Sequence, residues 1–320
     1  MRVVLTASAA VVTAAAAVAV AALYRRRRKR AVIITGGCGN LGTKLATHLL
    51  QTTDFAVVLI EHPDHFKPEC VPAGASVVLG DLTDGAGSWR SALRGPAYAL
   101  VHFSAVNPYP NASWADSAAS MSQTFNVFLA AQECGLPRVI LATSNHVMGG
   151  YKDVPEHVVV TPACPPRCGT LLRDPTDRLR SGDAVAYAAA KLAGEQLARA
   201  LAARGGGATT YIALRIGWCQ PGDNLPSTLN PSGSPPQFQN EVDSAPTAAA
   251  ADQAVDENWF KNMWLSNGDF LRYFTAAIDA PVASGKLLLL NAMSGNSGMR
   301  WSLEETVAAL GVTARDDSRA

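Results

Sequence analysis

No C-x-x-C pair occurs in the sequence, and six isolated cysteines (Cys38, Cys70, Cys134, Cys164, Cys168 and Cys219) are scattered through 320 residues. That usage reads as free thiols in a reducing compartment, not as a disulfide framework. Cys164 and Cys168 flank two prolines, but no Cys or His pair elsewhere completes a metal site, so no metal is expected. Clustered positive charge is scarce as well. The formal net charge is +1, yet six basic side chains stand together at Arg25–Arg30; without them and Arg2 the body carries 20 basic against 26 acidic residues, a net −6. A mildly acidic body excludes broad nucleic-acid binding, which needs clustered phosphate-neutralising charge. What the chain does have is apolar content: 48% of its residues are hydrophobic, enough for a full core in one large or two smaller domains.

The longest uncharged run is Val3 to Tyr24, about 22 residues, which as a helix would cross a hydrocarbon core of ~30 Å. It is mostly Ala and Val, so it inserts more weakly than a Leu-rich helix. One Arg precedes it and six basic residues follow, a bias that keeps the body on the cytosolic side and attracts anionic lipid. Residues 1–30 therefore read as a membrane anchor with a basic flank, the alternative being an Ala- and Arg-rich organelle-targeting segment.

Residues 31–320 form the body. Val32–Thr35, Val57–Glu61, Ser76–Asp81, Ala99–Phe103, Arg138–Thr143, Thr210–Ile216 and Lys286–Asn291 are short β-branched or apolar runs of the buried-strand type. Helical periodicity fills Asn40–Leu50, Ala115–Cys134, Ala184–Arg204 and Asp269–Ala280. Strands alternating with helices predict an α/β fold, a doubly wound parallel Rossmann sheet. From Gly222 to about Asn258 the chain is rich in Pro, Ser, Asn and Ala without periodicity, which reads as a disordered insertion (222–258). The pieces after it fit a small C-terminal substrate lobe.

Thr35-Gly36-Gly37-Cys38-Gly39-Asn40-Leu41-Gly42 lies directly between a strand and a helix. Gly36, Gly39 and Gly42 permit a tight turn and let a pyrophosphate approach the helix N-terminus. Glu61 closes the second strand, 19 residues after Gly42, where a carboxylate accepts hydrogen bonds from ribose hydroxyls and favours NAD over NADP. Asp81 closes the third, where an adenine ring would pack. Tyr187 and Lys191, four apart, share one helical face, so the ammonium can draw the phenol pKa down towards general-base range. Ser144, at the carboxyl end of a strand, can hold a substrate oxygen beside Tyr187, with Thr143 as competitor. His146 is either a substrate contact or a loop histidine.

These motifs, with Ser144-Asn145-His146-Val147-Met148-Gly149, resemble the extended short-chain dehydrogenase/reductase superfamily, the NAD-dependent epimerase/dehydratases, over about Ala31 to Ser302. Ala142 to Tyr151, Leu214-Arg215-Ile216-Gly217 and Met263-Trp264-Leu265-Ser266 look most like the uronate dehydrogenase branch, which oxidises the anomeric carbon of uronates with NAD. The resemblance implies Tyr187 as catalytic base and Lys191 as a ligand of the nicotinamide ribose. It implies substrate contacts from Ser144, Asn145 and His146. Asn40, Leu41, Glu61, Asp81, Leu82, Phe103, Ser104, Ala105, Val106 and Cys219 would then line the NAD site. Three positions depart from that pattern. Asn107 stands where the family places a substrate-binding serine, Trp218 replaces a second serine, and the arginine for the substrate carboxylate has only Lys261 as a stand-in.

The expected activity is NAD-dependent oxidation of a sugar or sugar-acid hydroxyl. The alternatives are a nucleotide-sugar epimerase or dehydratase with tightly held NAD, an anchored hydroxysteroid-type dehydrogenase, and a non-catalytic NAD sensor. The expected partners are a small-molecule substrate and, through residues 1–30, a membrane. Whether the chain forms a homo-oligomer is left open.

Overall fold

The computed structural model describes residues 30–106, 113–170, 184–204, 209–229 and 250–320. Seven parallel strands form one sheet: β1 (Ala31–Thr35), β2 (Ala56–Glu61), β3 (Ser76–Leu79), β4 (Ala97–His102), β5 (Arg138–Ser144), β6 (Thr210–Ile216) and β7 (Leu287–Ala292). Their spatial order is β3-β2-β1-β4-β5-β6-β7, so the chain reverses direction of travel across the sheet between β1 and β4. In such a sheet the crevice at the carboxyl ends of those two strands is the ligand position.

The helices are α1 (Asn40–Thr52), α2 (Trp114–Glu133), α3 (Val185–Ala203), α4 (Ala250–Met263), α5 (Asn267–Asp279) and α6 (Glu304–Leu310). Strand residues alternate between two cores because successive side chains point to opposite faces. Val32 and Ile34 pack with Leu45 and Leu49 of α1 and with Phe270 and Phe274 of α5. Ile33, between them, packs on the other side with Val127 and Phe128 of α2 and Leu201 of α3. Both faces are covered, which is why β1 is buried along its whole length.

Several expectations need correction. The segment after Asn258 is not all lobe: α5 and β7 belong to the main body, β7 pairing with β6 in register Tyr211↔Leu287 through Ile216↔Ala292. A small lobe exists, but it is a third core of Val147, Met148, Val160, Trp259, Phe260, Met263, Met293 and Trp301, tied down by the bridges Val160↔Trp301 and Trp218↔Trp264. Helix α4 starts at Ala250, inside the expected disordered insertion 222–258, and Pro226–Thr228 is a single 3-10 turn. The Ala-rich stretch there carries helix-forming residues that compositional reading scored as linker. β3 stops at Leu79, so Asp81 lies beyond the strand and does not close it. Residues 1–29, with most of the expected anchor, and Asn107 lie outside the described residues. Among the described residues no helix is long and apolar enough to cross a membrane.

Candidate active site

The glycine loop joins β1 to α1. Gly36 sits at φ +64°, a conformation that costs a side-chain-bearing residue, and its carbonyl accepts from Gly39 N at 3.1 Å. A Cβ on Gly42 would overlap that same carbonyl, so α1 can begin this close to the loop only with glycine there. The α1 N-terminus has no side-chain cap and no acidic residue in its first turn, whereas α2 carries a Ser113/Asp116 capping box and α5 is capped by Ser266. Its free N–H groups and positive dipole end are thus left for an anion. The Asn40 amide donates to the carbonyls of Cys219 and Gln220 at 3.4 and 3.3 Å, and Lys44 Nζ donates to Gln220 O at 3.0 Å, so α1 also fixes the chain after β6.

A cavity of about 590 Å³ runs from this loop along the carboxyl ends of the strands. Gly36, Gly39, Asn40, Leu41 and Gly42 line its mouth; Glu61, Asp81 and Leu82 line one end. Phe103, Ser104 and Ala105 line the middle, and Ser144, Asn145, His146, Tyr187, Lys191 and Cys219 complete it. The described residues proposed from sequence for this site therefore reach one cavity, Thr143 and Lys261 excepted.

At the outer end, Glu61 Oε1 accepts from the Cys38 amide at 2.7 Å, which ties β2 to the glycine loop. Burial raises the Glu61 carboxyl above its ordinary range, against the lowering effect of that amide. The Asp81 carboxylate accepts from the Thr83 amide and hydroxyl at 2.8 and 2.7 Å, which hold its pKa down. Cys219, enclosed, is pushed up to about 12 and is no nucleophile.

At the inner end, Ser144 ends β5 and lines the cavity together with Tyr187. Lys191, one turn along α3, donates to Ala142 O at 2.9 Å and lies 5.6 Å from the Tyr187 ring centre. The expectation that Lys191 draws the phenol down is not met by this geometry. Enclosure pushes Tyr187 up to about 12, with the Ser144 hydroxyl as the lowering influence. Enclosure also pushes Lys191 down to about 8, because an ammonium is costly away from water.

The competition between Ser144 and Thr143 is decided by the strand alternation. Thr143 faces away from the cavity and donates to Glu195 Oε1 at 2.7 Å. Glu195, one turn after Lys191, forms a fully buried ion pair with Arg215 of β6 at 2.7 Å. That pair bolts the Tyr187/Lys191 helix to β6, and the Thr143 bond ties the same carboxylate to β5, the strand that presents Ser144.

Asn145 Nδ2 donates to Ile216 O at 3.2 Å, while its buried Oδ1 has no partner among the described residues. His146 bonds Thr170 Oγ1 at 2.8 Å, stands edge-on to Tyr187, and is held neutral by burial with a pKa of about 4. Sequence reading missed His62, His65, Thr83, Gln123, Pro221 and Met263, which also line the cavity. His62 and His65 had a readable signal, two imidazoles just after Glu61. Trp218, read only as a departure, lines the cavity too and packs on Phe260 at 4.9 Å. Lys261 does not line it; its ammonium pairs with Glu257 at 2.5 Å.

A glycine-cradled crevice at the reversal point of a doubly wound sheet, ending on an enclosed tyrosine and lysine, defines a dinucleotide-dependent enzyme. The chain belongs to the NAD dependent epimerase/dehydratase family, which it matches over residues 32–217. It is similar to an L-arabinose 1-dehydrogenase (NAD(P)(+)) of Haloferax volcanii, 27% identical over 292 residues, 89% of this chain and 96% of that one. Its fold is similar to that of a mutated uronate dehydrogenase, with a TM-score of 0.63 at 20% identity, covering 91% of this chain and 84% of that one. A Bordetella bronchiseptica enzyme in complex with NAD and UDP gives a TM-score of 0.61 at 18% identity, over 91% of each chain. The glycine loop, the uncapped α1 N-terminus and Glu61 fit NAD.

Proposed function

We propose that this protein is an NAD-dependent dehydrogenase that oxidises a hydroxyl of a sugar or sugar acid. The observation that carries the reading is that Ser144 and Tyr187 line one cavity with the glycine loop, with Lys191 beside the Tyr187 ring. Gly36, Gly39, Gly42, Asn40 and Leu41 would hold the pyrophosphate, Glu61 the adenosine ribose, and Asp81 and Leu82 the adenine. NAD, when bound, supplies the hydride acceptor. The Tyr187 phenol first gives up its own proton, which Lys191, lowered to a pKa of about 8, can accept as a neutral amine; the phenolate then takes the hydroxyl proton while Ser144 holds the reacting oxygen. The unpartnered Asn145 Oδ1 accepts from a second substrate hydroxyl.

Trp218 with Met263 forms an aromatic and apolar wall of the cavity. That favours an uncharged sugar over a uronate, in keeping with the arabinose dehydrogenase it is similar to. The test is a panel of aldoses, uronates and nucleotide sugars with NAD, followed by NADH absorbance. NADH formation with aldoses supports the reading. An epimerised nucleotide sugar with no net NADH, and NAD retained through gel filtration, would replace it with the epimerase alternative.

Residues 1–30 are proposed to anchor the enzyme to a membrane with the body in the cytosol. Fractionation of the full chain against a chain starting at Ala31 tests this: equal solubility of the two would remove the anchor.

A further inference from the structure

The chain leaving β6 supplies Gly217, Trp218, Cys219 and Pro221 to the cavity wall. Between β6 and the 3-10 turn at Pro226–Thr228 it is irregular, so side chains hold its shape. Its far end turns on Asn224, buried and at φ +55°. The Asn224 side chain accepts from Gln220 N at 2.9 Å and from the Trp264 indole at 3.1 Å, and donates to Leu265 O at 2.7 Å. The stretch before Asn224 is held from a different element. Lys44 Nζ, on α1, donates to Gln220 O at 3.0 Å and to Asn267 Oδ1 at 2.7 Å, and Asn267 Nδ2 in turn donates to Gly222 O at 3.0 Å. A cation near the amino end of α1 is not favoured by the helix dipole, and burial holds the Lys44 pKa below the usual lysine value. The two oxygen acceptors are what an ammonium gains there.

We propose that Lys44 is a positioning residue for the substrate: through Gln220 and Asn267 it fixes residues 218–222 against the cofactor helix, and so sets where Trp218 stands relative to Ser144 and Tyr187. This role presupposes the sugar oxidation proposed above. Lys44 does not itself line the cavity, so it acts on a ligand through the wall in front of it. The ends of the segment are already fixed. A Cβ on Gly217 would overlap Met263 O, and Asn224 is bonded on three sides. The residues between are the ones left to Lys44 and to Asn40, whose uncharged amide reaches Cys219 O and Gln220 O only at 3.4 and 3.3 Å. A bond from an ammonium is the stronger of the two. A wall residue touches the substrate before and during reaction alike, so its displacement weakens binding without slowing the bound complex.

The test is steady-state kinetics of the full chain with the aldose giving the fastest NADH formation, alongside calorimetric binding of NAD. Lys44→Met keeps the apolar stem and removes the ammonium; Asn267→Ala keeps the ammonium and removes its side-chain acceptor. Each is expected to raise the aldose KM about tenfold, while kcat and NAD affinity change less than about threefold. The double variant is expected to fall short of the product of the two single effects, because the variants share one bond. An aldose KM that Lys44→Met leaves unchanged overturns the proposal. So does a loss of NAD affinity equal to the loss of aldose affinity, or a fall in kcat at constant KM. Should Lys44→Met fail to fold, Asn267→Ala decides by the same criteria. A parent that forms NADH with no sugar overturns the sugar reading, and the role of Lys44 with it.

Discussion

The two ends of the cavity are built by opposite means. The adenosine end is held by backbone and short contacts near solvent: a glycine turn, an uncapped helix end, Glu61 tied to an amide of the glycine loop and Asp81 to an amide of its own turn. The reaction end is held by buried side chains: Ser144, Lys191 and, behind them, Glu195 paired to Arg215 across two elements. The outer end must admit and release a large, charged molecule, so it uses groups that water can reach. The inner end must fix a few atoms and shift two pKa values, which only enclosure does.

The contrast breaks most visibly at Tyr187. Tyr187→Phe is expected to lower kcat by about 10²–10⁴-fold while leaving NAD affinity unchanged by calorimetry. Equal loss of both would merge the two ends into one unit. Next comes the brace: Glu195→Ala leaves Arg215 buried without its carboxylate partner and is expected to cost roughly 3–5 kcal/mol in urea unfolding.

A third expectation concerns pH. His102, bonded to Thr35 at 2.7 Å beneath the glycine loop, and His146 are buried and neutral, with pKa values of about 3 and about 4. Both lie below the unfolded value of about 6.5, so between that value and pH 4 the unfolded chain binds more protons. Stability is therefore present above pH 6.5 and falls on acidification, by roughly 3 kcal/mol per histidine at pH 4. Thermal melts of His146→Gln should show a shallower decline. The smallest effect is at the outer end: Glu61→Ala is expected to weaken NAD about tenfold, with kcat at saturation unchanged.

The sheet was readable because parallel strands buried on both faces, such as Val32–Thr35, are short continuous apolar runs between punctuating glycines. The glycine loop, Glu61, Ser144, Tyr187 and Lys191 were readable because each sits at a fixed offset from a strand or helix end. What sequence could not supply depends on how distant segments dock. Trp218 and Met263 meet only because Trp218 bridges to Trp264. Thr143 and Ser144 exchange candidacy with a one-residue change of strand phase, which no local pattern sets. The pKa of Tyr187 was misjudged because helical spacing gives proximity to Lys191 but not the depth of enclosure.

The most direct measurement uses the aldose giving the fastest NADH formation, deuterated at the oxidised carbon, with mass spectrometry of the cofactor. The account predicts one deuterium in each NADH formed and a primary isotope effect where chemistry limits turnover. Unlabelled NADH, or deuterium retained in an isomerised sugar, would contradict it.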